Sequence, residues 1–178
     1  NCDSSESSYD INVTGTGSAG DIQIERPSGT TKNDGSTDAV GNMAAGVSTP
    51  LVYTVRNTAG LGNILLGVLT ADTFVNCSVV VNQPLTTTLI PGAITTFQLD
   101  VTPTTGAAFS FSLRLPSNDA NENPYDISVT GTGLAGEIEL ERPSGTIRAD
   151  GSTDTQGTVT SGVLIPLVYT VRNLAGAN

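Results

Sequence analysis

One stretch of the sequence decides the fold class: residues 125–133, which read Tyr-Asp-Ile-Ser-Val-Thr-Gly-Thr-Gly. Apolar residues alternate with polar ones here, and this two-residue period is typical of an antiparallel strand with one buried face. The same period, or a short apolar run, predicts further strands at residues 21–26, 51–56, 64–69, 79–81, 97–101 and 109–115. Turn-forming residues separate these strands, and no stretch has the apolar spacing of a helix. The pattern predicts an all-β protein with an immunoglobulin-like β-sandwich.

The deciding stretch occurs twice. Residues 9–17 read Tyr-Asp-Ile-Asn-Val-Thr-Gly-Thr-Gly, 116 positions before residues 125–133. The correspondence continues without a gap, because residues 9–60 and 125–176 are identical at 35 of 52 positions. A repeat of 116 residues has the size of one β-sandwich domain, so the sequence predicts immunoglobulin-like repeats in tandem.

The phase of the repeat predicts three segments. Residues 1–17 are the last strand of a preceding repeat, residues 18–133 are a complete immunoglobulin-like repeat, and residues 134–178 are the first part of the following repeat. The last segment is too small to bury its apolar face alone, so we expect either that the natural chain continues at both ends or that a neighbouring copy supplies the missing strands. Three junction residues span at most ~11 Å, which brings adjacent repeats into contact. The predicted inter-repeat junctions are Gly17, Ser18, Ala19, Gly20, Gly133, Leu134, Ala135 and Gly136.

Composition excludes several functions. The 178 residues carry a formal net charge of −10, which argues against nucleic acid and anionic membranes as partners, because both bind through Lys and Arg. There is no histidine, which excludes Ser-His-Asp and Cys-His catalysis and His-ligated zinc. No apolar run is long enough to predict membrane insertion. Because the carboxylates lie mainly in turns and on outward strand faces, we expect no enzyme activity, no catalytic residue and no cofactor-binding residue.

The repeat resembles a known family. Residues 117–127, followed by Val-Thr-Gly-Thr-Gly at 129–133, resemble the closing signature of bacterial choice-of-anchor D repeats, which are similar to the immunoglobulin-like domains of the ASPM/SPD-2/Hydin group. Residues 53–60 resemble the early strand of that family, with Ala59 inserted before the glycine, and residues 90–97 resemble its mid-domain turn and strand. The resemblance implies large secreted or surface-attached bacterial proteins built from tandem copies. It also implies an extracellular or cell-surface location and no catalytic residues.

Two acidic loops are candidate metal sites. Asp34 and Asp38, and their repeat counterparts Asp150 and Asp154, place carboxylates near the backbone oxygens of a turn, and calcium binds oxygen ligands. The alternative is a turn in which Asp and Gly satisfy the local backbone, and the ligand spacing of an EF-hand is absent. Residues 119–122 raise the same two alternatives near a junction. We favour the turn in each case, and calcium is the one cofactor left open.

The cysteines and arginines each leave alternatives open, whereas the tyrosines are predicted to be core residues. Cys2 and Cys77 allow one disulfide, two thiols or bonds to other copies, because the sequence does not show whether their Cα atoms are close. Arg26, Arg56 and their counterparts 116 positions later are predicted on outward strand faces, either as salt bridges between copies or as surface charges. The four tyrosines fill two repeat positions and are predicted to lie in the core, which leaves no aromatic platform for sugar rings.

Two functions fit these observations. The first is structural: the chain is part of a tandem immunoglobulin-like array that forms a bacterial surface stalk or filament. Its partners are other repeats of the same chain or other copies of itself, held by domain–domain and strand-exchange contacts. The alternative is an adhesin or carbohydrate-binding module on a cell-surface array, which the absence of tryptophan weakens. Saturable hits in a glycan or host-protein binding screen would favour the alternative.

Overall fold

A computed structural model describes residues 10–174, and all regular secondary structure within them is β-strand. No helix able to cross a membrane occurs in this part of the chain. The first strands are β1 (Ile22–Glu25), β2 (Thr31–Lys32), β3 (Ser36–Ala44), β4 (Thr49–Asn57), β5 (Ile64–Leu65), β6 (Thr70–Val75) and β7 (Cys77–Asn82). They are followed by β8 (Thr88–Leu89), β9 (Ile94–Pro103), β10 (Ala108–Leu115), β11 (Tyr125–Leu134), β12 (Ile138–Glu141), β13 (Ile147–Arg148) and β14 (Thr170–Asn173).

Residues 22–134 fold into a sandwich of two sheets. The first sheet has the strand order β2-β1-β4-β9-β7 and the second has the order β3-β11-β10-β6, while β5 and β8 form a separate pair. The neighbours β1, β4, β9 and β7 match strands A, B, E and D of an immunoglobulin domain, and β6, β10 and β11 match C, F and G. The predicted immunoglobulin-like sandwich is confirmed.

The core lies between the two sheets because alternate residues of each long strand point inward. On β9 the odd-numbered residues from Phe97 to Val101 are buried, and on β10 those from Phe109 to Leu115 are buried. Tyr53 of β4 stacks on Phe97, with ring centroids 5.0 Å apart. These strands, with β1 and β11, occupy the residues where alternation predicted them.

Two of the longer strands of the sandwich, β3 and β6, were not predicted from the sequence, and one predicted strand is shorter than expected. β3 pairs in parallel with β11, and its only buried residues are Asp38 and Met43, so it has no alternating apolar pattern. β6 is exposed at most positions and carries no such pattern either. The strand predicted at residues 64–69 is limited to β5, at Ile64–Leu65.

The chain after the sandwich repeats the first part of it. β12, β13 and β14 form a sheet in the order β13-β12-β14, which is the counterpart of β2-β1-β4. The register is preserved, because Ile138 faces Asn173 as Ile22 faces Asn57, 116 positions earlier. The local sequence therefore forms the same three-stranded arrangement in both places.

Two segments that match strands of the sandwich form no strand themselves. Residues 152–160 correspond to β3, and residues 10–17 correspond to most of β11; both are without strand structure. In the sandwich, β3 and β11 pair with each other. Residues 152–160 and residues 10–17 therefore correspond to two strands that pair with each other in the sandwich.

Candidate functional site

A group of charged side chains, the Asp38 cluster, links the two sheets of the sandwich; it consists of Arg26, Lys32, Asp38 and Tyr53. The fully buried Asp38 carboxylate accepts hydrogen bonds from Arg26 Nη2 at 2.9 Å and from the Tyr53 hydroxyl at 2.8 Å. Lys32 Nζ lies 2.9 Å from the same carboxylate, and the Arg26 guanidinium lies 5.6 Å from the centre of the Tyr53 ring. Because Asp38 is on β3 while Lys32 and Tyr53 are on β2 and β4, the cluster ties the edge of the second sheet to the first.

The Asp38 carboxylate and the Arg26 guanidinium both stay charged at neutral pH. Burial raises the pKa of Asp38, but the hydrogen bonds from Arg26, Lys32 and Tyr53 outweigh burial and hold that pKa below its ordinary value. The hydrogen bond to Asp38 raises the pKa of Arg26. Burial, followed by the charge of Asp38, raises the pKa of Tyr53, so its hydroxyl stays protonated and remains a donor.

The same arrangement occurs after the sandwich as the Asp154 cluster, which consists of Arg142, Arg148, Asp154 and Tyr169. The Tyr169 hydroxyl donates to Asp154 at 2.8 Å, and Arg148 Nη2 lies 3.2 Å from the carboxylate. Arg142 also pairs with Asp154, and its guanidinium lies 5.5 Å from the Tyr169 ring centre. The hydrogen bond from Arg142 is the main reason that the pKa of Asp154 lies below its ordinary value. This cluster forms with no second sheet against it among the described residues, so the local sequence is sufficient for it.

Three of the four predicted calcium ligands, Asp34, Asp38 and Asp154, have other partners in the structure. Arg and Lys side chains neutralise Asp38 and Asp154, as a metal ion would otherwise do. Asp34 Oδ1 instead accepts a hydrogen bond from the backbone N–H of Asp126 at 2.6 Å. Calcium binding in these loops therefore remains a prediction, and the contacts favour the alternative of a structural turn.

The predicted outward orientation of Arg26 is wrong, because β1 ends at Glu25. The backbone N–H of Arg26 donates to Thr30 at 2.9 Å in a turn, where strand alternation no longer orients the side chain. Arg56 does lie on β4, but its Nε lies 3.0 Å from Glu25 of the neighbouring strand. The counterparts 116 positions later repeat both contacts, so these arginines pair within their own repeat.

A second acidic group lies where the sandwich begins. Carboxylate oxygens of Asp21, Asp119 and Glu122 lie within 4.8 Å of one another. Asp119 is buried, and its carboxylate accepts the backbone N–H of Ile22 at 2.9 Å and that of Asn121 at 3.2 Å. Burial, followed by the charges of Asp119 and Asp21, raises the pKa of Glu122. Asp119 therefore has a structural role in holding the start of β1.

The start of β11 fills a groove beside the Asp38 cluster, which we call the filled groove. The Tyr125 hydroxyl donates to the carbonyl oxygen of Lys32 at 2.5 Å. Asp126 donates its N–H to Asp34, and its carbonyl oxygen accepts the N–H of Gly35 at 2.7 Å. Beyond this point Ile127 pairs with Ser36, and the parallel β3–β11 ladder follows. The sequence analysis placed Tyr125 in the core correctly but did not predict its hydrogen bond.

The counterpart of this site after the sandwich is not filled by any residue in the range 10–174, and we call it the open groove. It has a volume of about 440 Å³. Its lining residues are Ile138, Leu140, Arg148, Ala149, Asp150, Gly151, Ser152, Asp154 and Tyr169. Each lies 116 positions after a residue of the first repeat, and together they include the counterparts of the residues that hold Tyr125 and Asp126.

The second sheet of the sandwich covers apolar side chains of the first, as the exposed fractions of residues in the two repeats show. Ile22 is 2% exposed and its counterpart Ile138 is 76% exposed. Tyr53 is fully buried, whereas Tyr169 is 39% exposed, so only one of the two copies at this tyrosine position meets the core prediction. The apolar face of β12–β14 has the composition of a sandwich interior but no covering sheet among the described residues.

Several of the predicted junction residues lie against turns of the sandwich, whereas a Cβ atom on Gly17 would have nothing within 4 Å. Ser18 Oγ donates to the carbonyl oxygen of Leu61 at 3.1 Å, and residues 18–19 lie against Gly62. At the other end, a Cβ atom on Gly133 would lie 2.0 Å from the carbonyl oxygen of Thr105, so only glycine fits there. Among the cysteines, Cys77 is partly buried on β7, while Cys2 lies outside the described residues, so the disulfide hypothesis stays open.

Neither a protein-family model nor a curated protein matches the sequence. Among solved structures, the secreted serine protease VesC from Vibrio cholerae is similar at 14% identity and a TM-score of 0.47, over 56% of this chain and 22% of that one. A protein of unknown function from Porphyromonas gingivalis is similar at 18% identity and a TM-score of 0.48, over 64% of this chain and 47% of that one. An ASH/PapD-like domain of human CEP192 is similar at 8% identity and a TM-score of 0.45, over 74% of this chain and 98% of that domain.

These similarities are too distant to carry an argument about activity, partners or location. The chain spans less than half of the length of the first two structures. The immunoglobulin-like assignment rests on the order of the strands in the two sheets. The resemblance to choice-of-anchor D repeats remains a prediction beyond that fold.

Proposed function

We propose that this chain is a structural protein of the bacterial cell surface or extracellular space, a segment of a tandem immunoglobulin-like array that forms a stalk or filament. The proposal includes no catalytic activity. Its partners are other repeats of the same chain or other copies of it. One observation carries the proposal: the sheet and polar cluster of one repeat begin again 116 residues later, with an apolar face that none of the described residues covers.

Short junctions support an array of touching units over a flexible tether. β11 ends at Leu134 and β12 begins at Ile138, so few residues separate one repeat from the next. Gly133 packs against Thr105, and a Cβ atom on Gly106 would lie 2.9 Å from Ala135 Cβ. A junction that lies against the body of the sandwich restricts the rotation of the following repeat, as in other repeat proteins whose units contact only their neighbours.

The proposed location and array are tested on the organism that produces the protein. Antibodies raised against this chain are applied to intact cells for immunogold electron microscopy, and the immunoreactive polypeptide is sized by denaturing electrophoresis and mass spectrometry. We expect gold label on beaded extensions outside intact cells. Label that appears only after lysis would refute the surface location, and compact, unbeaded particles would refute the array.

A further inference from the structure

We propose that the open groove binds residues 9–17 of a second copy of this chain as an added parallel strand, so that copies associate head to tail. The inference rests on the proposed structural function and names the partner of its uncovered face. Strand addition of this kind takes affinity from main-chain hydrogen bonds and register from side-chain pockets.

The filled groove shows what the open groove is shaped to accept. In the sandwich its occupant is residues 125–133, and residues 9–17 have the same sequence at every position except Asn12, which replaces Ser128. Ser128 is exposed in the sandwich, so the difference falls on the outward face of the strand. Residues 9–17 therefore carry every inward side chain of a strand already seen in such a groove.

The turn beside the open groove has nearly the same backbone conformation as its counterpart beside the filled groove. Gly35 and its counterpart Gly151 have nearly the same backbone conformation, with φ of 69° and 71°. By repeat correspondence, the Tyr9 hydroxyl donates to the carbonyl oxygen of Arg148, and the N–H of Asp10 donates to the Asp150 carboxylate. The N–H of Gly151 donates to the carbonyl oxygen of Asp10, as Gly35 donates to the same position in the sandwich.

The described part of the donor is accessible in the structure. Residues 10–17 are exposed, and neither Gly15 nor Gly17 has an atom within 4 Å of its hypothetical Cβ. Upstream, Asp3 is the repeat counterpart of Asp119, which holds the N–H of Ile22 in the sandwich. The corresponding bond in the complex joins Asp3 to the N–H of Ile138, and it extends the interface beyond the strand itself.

The interface joins different surfaces of identical chains and does not close on itself, so association continues into short filaments. A single added strand covers only part of the β12–β14 face. We therefore expect weak association, with a dissociation constant on the order of 10–100 μM.

The test is analytical ultracentrifugation of the full chain over concentrations of about 5–500 μM, with a reducing agent that prevents cysteine-linked oligomers. Tyr9→Ala removes the donor anchor. Ile138→Lys blocks the acceptor without a folding cost, because Ile138 is exposed in the single chain. Ile90→Lys makes the same change at an exposed site in a turn of the sandwich and is the matched control.

We expect concentration-dependent oligomers for the unmodified chain and the control, and monomers for each of the other two variants. An equimolar mixture of Tyr9→Ala and Ile138→Lys chains is expected to form dimers only, since one retains the acceptor and the other the donor. A synthetic peptide of residues 9–17 should dissociate the oligomers, and a scrambled peptide should not.

Oligomers that persist in both Tyr9→Ala and Ile138→Lys chains would overturn the proposal. A chain that is monomeric at every concentration and does not bind the peptide would also overturn the proposal. The alternative would then be that the β12–β14 face is covered by residues of the same polypeptide. Either result leaves a surface array intact, because the immunogold experiment does not depend on association between copies.

Discussion

Replacement of Asp38 by alanine should destabilise the sandwich by about 3 kcal/mol. The Tyr53 hydroxyl loses its acceptor inside the core, and an unsatisfied buried group costs about 1–3 kcal/mol. Removing one member of a fully buried ion pair costs about 3–5 kcal/mol. Here the Arg26 and Lys32 side chains are 20% and 21% exposed, so water recovers part of their solvation and the cost falls at the low end of that range.

The chain provides a matched control. Asp154→Ala removes the same carboxylate from the same set of neighbours, but Tyr169 is exposed enough for water to replace the lost acceptor. The unfolding midpoint of the sandwich should not change in this variant. A second variant isolates the hydroxyl, because Tyr53→Phe added to Asp38→Ala should recover about 1 kcal/mol by removing the unpaired group.

The assay is urea unfolding followed by far-ultraviolet circular dichroism and tyrosine fluorescence, since the chain has no tryptophan. For a domain of this size, 3 kcal/mol corresponds to a fall of about 10–15 °C in Tm. A loss below about 1 kcal/mol for Asp38→Ala, or an equal loss for Asp154→Ala, would refute the account of the cluster.

Three further predictions concern the packing of Gly133 and the pKa shifts of Asp38 and Glu122. Gly133→Ala should lower the free energy of unfolding by about 2–3 kcal/mol, because its Cβ atom would lie 2.0 Å from the carbonyl oxygen of Thr105. The control is Gly17→Ala at the repeat counterpart, where a Cβ atom would have nothing within 4 Å and no loss of stability is expected. Equal effects of the two substitutions in thermal unfolding would contradict the packing at Gly133. Because the pKa of Asp38 is lower in the folded state than the unfolded value of about 3.9, its charge stabilises the fold above pH 3.9. The free energy of unfolding should therefore fall as the pH drops through the folded pKa, and it should fall less in Asp38→Asn. Parallel plots of unfolding free energy against pH for the two chains would contradict this prediction. Burial and nearby carboxylates raise the pKa of Glu122, so the charged form of Glu122 opposes folding above that pKa. Glu122→Gln should therefore raise Tm at pH 7 but not at pH 3. A lower Tm of this variant at pH 7 would show that the carboxylate stabilises the fold.

The strands that the sequence predicted are those whose burial is apolar and alternating. β10 and β11 were predicted because each buries every second residue against the opposite sheet. β3 was missed because its inward residue Asp38 is charged and its partner strand lies far along the chain, at residues 125–134. Period-based analysis cannot detect a strand whose burial depends on ionic partners.

The Asp38 cluster was within reach of the sequence, but the filled groove was not. Arg26, Asp38 and Tyr53 recur unchanged 116 positions later, and Lys32 recurs as an arginine, so opposite charges kept their spacing in both copies. The sequence analysis instead weighs a structural turn against calcium ligands for the aspartates, and surface charges against salt bridges between copies for the arginines. By contrast, the hydrogen bond from Tyr125 to Lys32 joins residues 93 positions apart, and only the folded chain brings them together.

We infer that residues 138–173 form the first half of a second sandwich, which no described residue covers, and one measurement tests this inference directly. A chain in which residues 58–133 are repeated after Asn173 contains every strand of a second repeat. Amide hydrogen exchange is compared between this chain and the original. The account predicts strong protection of residues 138–173 only in the extended chain, to the level of residues 22–57. Equal protection of these amides in both chains, or an added segment that exchanges freely, would contradict it.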